Sequence, residues 1–313
     1  LDAARSADPD FAATPAVLDA TIKLADVLMT ASRWKESQSQ LERAMALAGG
    51  GDDVAAHARA QALLGFLFIH RGDLSLAQHH LGEAVAAMRS AGLAEFLPQA
   101  LNRLGTAFWR SGDGAAAMSC FDEALAMERG RGDAQGAAMT LAHMASVWLF
   151  RGELPVALQH LQEAFRLYQS LNRPSILGTM QINLALVYER MGEDELALEN
   201  YGRALQLGRA LGVKDAITRC LGNMGNLLRQ LGRFDEAQAC FLEAMQIDQE
   251  RGSQSDVAWH YANLGELACT RGDYRQAVGY FEQTLPELRA RGSKKVFAEV
   301  LLVYGEALLA LQR

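Results

Sequence analysis

Apolar and polar positions along the chain repeat with a period of 40 residues. The most regular marker is a glycine, which stands at Gly72, Gly112, Gly152, Gly192, Gly232 and Gly272. A second series occupies Gly92, Gly132, Asn172, Gly212, Gly252 and Gly292. Its one exception is asparagine, the other residue that readily takes the left-handed conformation at a helix end. A fixed period of this length is typical of repeat architectures.

Each period contains two amphipathic stretches, one before the first glycine and one between the two glycines. Both are long enough for a helix of several turns, and no segment alternates like a strand. Acidic residues open most of the second stretches, where a helix dipole favours negative charge; they are Asp73, Asp113, Glu153, Glu193 and Asp273. The pattern predicts an all-α fold of helical hairpins, which must stack because one hairpin cannot bury both of its faces.

A third series is confined to small residues and lies on the first helix of each hairpin: Ala25, Gly65, Gly105, Ala145, Ala185, Gly225, Gly265 and Gly305. A large apolar series lies on the second helix: Leu41, Leu81, Phe121, Leu161, Tyr201, Phe241 and Phe281. We expect the small residues to let the two helices approach closely, and the large residues to fill the space beside them.

The unit at 218–257 resembles the tetratricopeptide repeat, whose spacing of small, large and aromatic positions is met by Gly225, Leu228, Gly232, Ala237, Phe241 and Ala244. Seven such units are expected, at 18–57, 58–97, 98–137, 138–177, 178–217, 218–257 and 258–297. The 40-residue period is similar to the longer variant in kinesin light chains, Pins/LGN adaptors, Rap-type peptide receptors and the sensor regions of MalT-like or AfsR-like activators. The resemblance implies a right-handed α-α superhelix of seven helical hairpins plus a terminal helix.

The two ends depart from this regularity. Residues 1–17 form a leader, and the first unit has Ser32 where the others have glycine and Ser37 where they have alanine. Residues 298–313 match a first helix without its second, which indicates either a cut through a longer array or a lone capping helix. We expect the cut, because the apolar side of this helix has no partner left in the sequence.

In tetratricopeptide repeats the first helices line the concave surface, and the resemblance implies which residues face it. One such position carries asparagine in three consecutive units, at Asn183, Asn223 and Asn263. In peptide-binding relatives this asparagine contacts the ligand backbone, and an amide can both donate to and accept from a peptide group. Other polar residues implied at this surface are Asn226, Arg190, Arg219 and Arg229. The arginines suit carboxylates or phosphate, although exposed arginines are also often simply solvated.

The predicted surface changes character toward the N-terminus. Trp109, Arg110 and His143 offer aromatic and cationic groups there, and Arg103 stands in the register of the asparagines. They are candidates for holding apolar anchors of a ligand. Packing in the core, or contact with another copy of the chain, is the alternative.

Composition narrows the function. The formal charge of −7 and a pI of about 5.6 disfavour nucleic acid and anionic membranes as partners of this region. No apolar run is long enough to span a bilayer. The four cysteines form no CxxC pair, which indicates reduced thiols in a cytoplasmic protein.

Motifs for nucleotide, zinc-protease or hydrolase sites are missing from the sequence. We therefore predict a non-catalytic scaffold, without catalytic residues, metal or cofactor, that recognises an extended peptide or protein segment; acidic groups in that segment would suit the arginines. The alternative is a regulatory sensor or oligomerisation module of a larger signalling protein, such as a transcription activator, and self-association is compatible with either.

Overall fold

The computed structural model describes residues 14–31, 33–50, 53–291 and 294–312. Most of the predicted leader, together with Ser32, Gly292 and Arg313, lies outside the described residues. The chain divides into two compact units, Leu1–Leu167 and Tyr168–Arg313, called unit 1 and unit 2 below. Each unit is described by itself.

Every regular element in the described residues is an α-helix. The first eight are α1 (Pro15–Thr30), α2 (Trp34–Gly50), α3 (Val54–Arg71), α4 (Leu74–Ser90), α5 (Leu97–Arg110), α6 (Gly114–Gly130), α7 (Ala134–Arg151) and α8 (Leu154–Ser170). The others are α9 (Pro174–Met191), α10 (Asp194–Leu211), α11 (Lys214–Gln230), α12 (Phe234–Arg251), α13 (Gln254–Thr270), α14 (Tyr274–Arg291) and α15 (Lys294–Ala310). The predicted all-α solenoid of seven hairpins followed by one helix is confirmed. Within the described ranges, no helix has the length and apolarity that crossing a bilayer requires.

Helices that follow one another pack together from α1 to α7 in unit 1 and from α9 to α15 in unit 2, and the first helices of successive hairpins also touch within each unit. In unit 1 this second kind of contact joins α1 to α3, α3 to α5 and α5 to α7; in unit 2 it joins α9 to α11, α11 to α13 and α13 to α15. The first helices therefore form a continuous row in each unit. The residues assigned to ligand binding lie on helices of these rows.

Close approach of the two helices of a hairpin depends on the small-residue series. A Cβ placed on Gly225 would lie 2.6 Å from Cε1 of Phe241, which is fully buried in the same hairpin. Gly105 and Gly265 face Phe121 and Phe281 at the same distance. The predicted role of the small residues is confirmed.

Helix ends follow the two capping series. Gly232 has φ of 74°, and Asn172, the exception in its series, has φ of 51°. Both are left-handed conformations, as predicted. An acidic side chain caps α6, where Asp113 accepts a hydrogen bond from the backbone N–H of Ala116 at 2.9 Å.

The first helices begin slightly ahead of the predicted unit limits. Helix α11 starts at Lys214, whereas the unit was set to begin at 218. Helix α5 starts at Leu97, closer to its unit limit than the other first helices, and Pro98 occupies its first turn, where a backbone N–H is not needed. The unit limits themselves stay a prediction about where the repeat is counted from.

Candidate functional site

Three asparagines recur along the row of first helices in unit 2. Asn183 on α9 and Asn223 on α11 are half-buried, and Asn263 on α13 is 3% exposed. Their 40-residue spacing places one on each successive first helix. The sequence predicted this series, but not that Asn263 would be so deeply buried.

A depression between α11 and α13 brings four of the predicted residues together. Asn223, Asn226 and Arg229 line it from α11, and Asn263 lines it from α13. The remaining lining residues are Leu186, Glu189, Gln230, Trp259 and Glu266. We call this depression the amide surface.

Two hydrogen-bond donors at the amide surface are buried without a partner among the described residues: Nδ2 of Asn263 and Nε of Arg229. The other end of the Arg229 guanidinium is paired, with Nη2 3.1 Å from Oε2 of Glu266. A buried donor without a partner costs about 1–3 kcal/mol. A ligand atom that accepted a hydrogen bond from either donor would remove that cost, so these two groups offer the largest contribution to binding.

Two carboxyl groups give the amide surface a pH-sensitive character. Burial raises the pKa of Glu266, and nearby Arg229 offsets part of that rise. Burial also raises the pKa of Glu189, and the hydrogen bond from the Tyr201 hydroxyl at 3.0 Å opposes it. Both acids bind a proton more readily than an exposed glutamate does.

A second depression adjoins the first and shares Asn223 and Trp259 with it. Arg219 and Gly222 line it from α11, and His260 lines it from α13. Arg219 is exposed, and its Nη2 donates to Oγ1 of Thr179 at 3.3 Å. Trp259 is 45% exposed here.

The buried side chains of Asp248 and His260 form part of the wall of this second depression. Asp248, fully buried, accepts a hydrogen bond from Nη1 of Arg251 at 2.7 Å and lies 3.0 Å from Nε2 of His260. A Cβ on Gly222 would meet only Cε1 of His260, at 3.8 Å. Gly222 therefore leaves this wall uncovered.

The equivalent position in unit 1, 120 residues earlier, is filled. There Asn102 donates through Nδ2 to Oε1 of Glu128 at 3.0 Å, and Thr140 donates to Oε2 of the same carboxylate at 2.6 Å. All three side chains are buried. Glycine at position 222, where unit 1 has Asn102, is the feature of the sequence that indicates the second depression. The sequence analysis, which interpreted glycines as helix ends and close contacts, did not predict the pair of Asp248 and His260.

The other predicted residues are not brought to these depressions. Asn183 and Arg190, both on α9, belong to neither lining, and Arg190 is exposed in the last turn of that helix. In unit 1, Trp109 and Arg110 border a depression at the end of α5. The remaining two predicted residues lie elsewhere in unit 1.

Arg103 and His143 are largely taken up by packing. The Arg103 guanidinium lies 4.8 Å from the centre of the Phe66 ring, and burial lowers its pKa to about 10. The His143 ring lies 5.6 Å from that of Phe121, and burial lowers its pKa to about 4. His143 is therefore neutral near pH 7. Whether either residue touches a ligand stays a prediction.

The hairpins, their capping glycines and the amide-bearing row define the class of the protein: an α-solenoid with a polar surface on its first helices. The family model of the tetratricopeptide repeat matches residues 96–170, 177–250 and 216–286. The chain belongs to the tetratricopeptide repeat family, as its resemblance predicted. No curated protein matches it.

Solved structures with the same fold include proteins of different roles. One is a signal transduction ATPase with a tetratricopeptide repeat sensor from Pyrococcus horikoshii, with a TM-score of 0.70 and 16% identity over 91% of this chain and 44% of that chain. Another is the apo quorum sensor NprR from B. thuringiensis, with a TM-score of 0.70 and 14% identity over 95% of this chain and 83% of that chain. A third is BtubC from P. vanneervenii, with a TM-score of 0.61 and 20% identity over 69% of this chain and 91% of that chain. Identities this low establish the fold alone.

Proposed function

We propose that this protein is a non-catalytic scaffold that holds an extended peptide or partner segment against the amide surface of unit 2. The observation that carries the proposal is the pair of buried, unpartnered donors, Nδ2 of Asn263 and Nε of Arg229, beside Asn223 and Asn226. Solenoids of repeats use their extended surfaces for binding. A bound peptide would supply acceptors for those two donors.

The chemistry of the amide surface suits a peptide backbone. A backbone carbonyl can accept from Asn263 and Arg229, and a backbone N–H can donate to the amide oxygen of Asn223. These contacts do not depend on the ligand's side chains, so the arginines select among ligands. Arg219, exposed in the adjoining depression, would favour a nearby carboxylate.

A regulatory sensor module is the second candidate. It is favoured by the match over 91% of this chain to a protein whose tetratricopeptide repeats are a sensor, and by the similarity to a quorum sensor. These similarities concern the fold, and function belongs to the site. Both candidates require a ligand on unit 2, so one experiment tests their shared premise.

The test removes two amides from the row of first helices without touching the buried one. Asn223→Ala combined with Asn226→Ala should weaken binding, because both side chains line the amide surface and each net hydrogen bond contributes about 0.5–1.5 kcal/mol. Proteins captured by the immobilised native chain are identified by mass spectrometry, and peptides from them are titrated by fluorescence anisotropy. We expect about tenfold weaker binding for two lost bonds.

The matched control is Gln206→Ala combined with Gln246→Ala. These two glutamines are exposed on α10 and α12, the second helices of their hairpins. The control removes the same number of amides outside the row of first helices and should bind as the native chain does. Equal affinities for the asparagine variant, the control and the native chain would rule out the amide surface as the binding site.

A further inference from the structure

The depression at the end of α5 in unit 1 contains an unusual aromatic residue. Phe150, in the last turn of α7, is 81% exposed, more than any other large apolar side chain in the described part of the chain. Trp109 borders the same depression, and Val147, which is 1% exposed, also lines it. An apolar surface of this kind on a folded protein commonly marks an interaction site.

The repeat shows that Phe150 is an exception in its own register. Equivalent positions are occupied by Thr30, His70, Arg110, Arg190, Gln230, Thr270 and Ala310. All of these are polar or small, so the repeat does not require a phenylalanine at this point. The hairpin fold alone therefore does not account for Phe150.

The repeat also shows that a side chain is missing beside Phe150. The first residue of each second helix is large or charged in the other units: Trp34, Leu74, Leu154, Asp194, Phe234 and Tyr274. In α6 this position is Gly114, which lines the depression. The depression is thus the space that a larger residue fills elsewhere.

Two other hairpins show how an aromatic ring sits in that space. Trp34 stacks on His70 with ring centroids 5.3 Å apart and planes 21° apart. The residue pair is 36 positions apart, as Gly114 and Phe150 are. Stacked pairs of rings contribute about 0.5–1.5 kcal/mol beyond the area they bury.

The second comparison concerns the arginine that comes one residue after the register of Phe150. Arg271 lies over the ring of Phe234, with Cζ 5.8 Å from the ring centre. Gly114 and Arg151 have the same separation along the chain, 37 positions. Arg151 already reaches over the vacant position, since a Cβ on Gly114 would lie 3.1 Å from its Nη2. An aromatic ring placed there would meet a cation on one side.

The rim of the depression is cationic. Arg110 and Arg151 are both exposed, whereas the carboxylate of Asp113 is engaged as the cap of α6. Arg110 donates through Nη1 to the carbonyl oxygen of Ile69 at 2.6 Å, which orients its guanidinium and leaves further N–H groups. A carboxylate near the bound ring would be favoured.

We propose that this depression binds an aromatic side chain of a partner protein that has an acidic residue next to it. The ring takes the place of the side chain missing at Gly114 and stacks on Phe150 beneath Arg151. The carboxylate pairs with Arg110 or Arg151 at the rim. This site does not depend on the amide surface of unit 2.

The test fills the space with the residue that the repeat uses elsewhere. Gly114→Leu introduces the side chain found at Leu74 and Leu154, and displaces only the flexible tip of Arg151. Gly130→Leu is the matched control, because Gly130 lies on the same helix with no atom within 4 Å of its added Cβ. Thermal denaturation should show both variants folded, since leucine is a better helix former than glycine.

The probes are three capped pentapeptides of sequence Gly-Glu-Phe-Glu-Gly, Gly-Glu-Ser-Glu-Gly and Gly-Lys-Phe-Lys-Gly, titrated by isothermal calorimetry. The native chain should bind the first peptide saturably and at least about tenfold more tightly than the other two. Gly114→Leu should reduce that affinity at least about tenfold, and Gly130→Leu should leave it unchanged. An unchanged affinity in Gly114→Leu, equal binding of the serine peptide, or no saturable binding by the native chain would each overturn the proposal.

Two further variants separate this site from the amide surface. Phe150→Arg restores the residue found at Arg110 and Arg190 and should abolish binding of the phenylalanine peptide. Asn223→Ala combined with Asn226→Ala should leave that binding intact. If the asparagine variant lost it instead, the peptide would be binding at the amide surface and the assignment to α5–α7 would be wrong.

Discussion

At the scale of single residues, the small position of each hairpin is matched to the large side chain that faces it. The three phenylalanines of this series, Phe121, Phe241 and Phe281, all face glycine. Alanine occupies the small position opposite Leu41, Leu161 and Tyr201, whereas Leu81 faces Gly65. Each phenylalanine in the large series is therefore matched by glycine, which the general preference for small residues did not predict.

Gly225→Ala is predicted to destabilise the protein. Its Cβ would lie 2.6 Å from Cε1 and 2.9 Å from Cδ1 of Phe241, a ring that is fully buried and cannot move aside freely. Overpacking of a core costs about 1–3 kcal/mol, which exceeds the gain of up to about 1 kcal/mol from replacing a helical glycine. Chemical denaturation followed by circular dichroism should show the loss.

Gly202→Ala is the control for this change. Gly202 lies on α10, and a Cβ there meets nothing within 4 Å, so the variant should be as stable as the native chain or more stable. Adding Phe241→Leu to Gly225→Ala should recover part of the lost stability, because leucine faces alanine in other hairpins. Additive losses in the double variant would contradict the steric explanation.

At the scale of helices, a buried polar network joins α5, α6 and α7 in unit 1. Glu128 on α6 accepts hydrogen bonds from Asn102 on α5 and Thr140 on α7, and Thr140 lies 3.0 Å from the Asn102 amide oxygen. Burial raises the pKa of Glu128, and the hydrogen bonds from Thr140 and Asn102 oppose that rise. The three helices are thus tied by a carboxyl group that resists ionisation.

Glu128→Gln is predicted to flatten the pH dependence of stability. Because the folded-state pKa of this acid lies above its unfolded value, the unfolded chain releases its proton first as pH rises. The stability that Glu128 contributes is therefore present below the unfolded pKa and is lost as pH rises through the folded pKa. Glutamine keeps a complete ring of donors and acceptors with Asn102 and Thr140 but has no proton to lose.

Thermal denaturation between pH 4 and 8 measures this effect. The difference between Glu128→Gln and the native chain should move in favour of glutamine as pH rises. The matched control is Glu163→Gln. Glu163 is partly exposed and pairs with Arg129 on the surface, so this substitution should not show the same trend. A constant difference across the pH range would contradict the role assigned to burial.

Helix ends were predictable from the sequence where glycine marks them. The left-handed conformation at Gly232 and Asn172 follows from residue type, so the positions of these ends could be stated in advance. The late start of α5 was not predicted, because the repeat pattern was followed there and the turn from Leu93 to Phe96 ahead of Pro98 was not. Local signals determined most ends, and this one depended on a proline outside the repeat pattern.

At the scale of the whole molecule, the repeat predicted the number and order of the hairpins but only part of the candidate sites. The register located Asn183, Asn223 and Asn263 on one row of helices, because a constant period carries each residue to the same face. It could not show that Asn263 is buried with a donor that has no partner among the described residues, since burial depends on the packing of the folded chain. Nor did it point to the space beside Gly114, which becomes visible only when the neighbouring helix is in place.

A solenoid of stacked hairpins also predicts where the damage from one substitution extends. Each hairpin touches only the hairpins before and after it, so stability is close to a sum of local terms. Gly225→Ala strains the hairpin of α11 and α12, whose contacts extend to α9, α10 and α13. Hydrogen exchange followed by mass spectrometry should show faster exchange in peptides from α9 to α14 and unchanged exchange in α1 to α4. An equal acceleration in α1 to α4 would show that the array unfolds as one cooperative block, against the nearest-neighbour description.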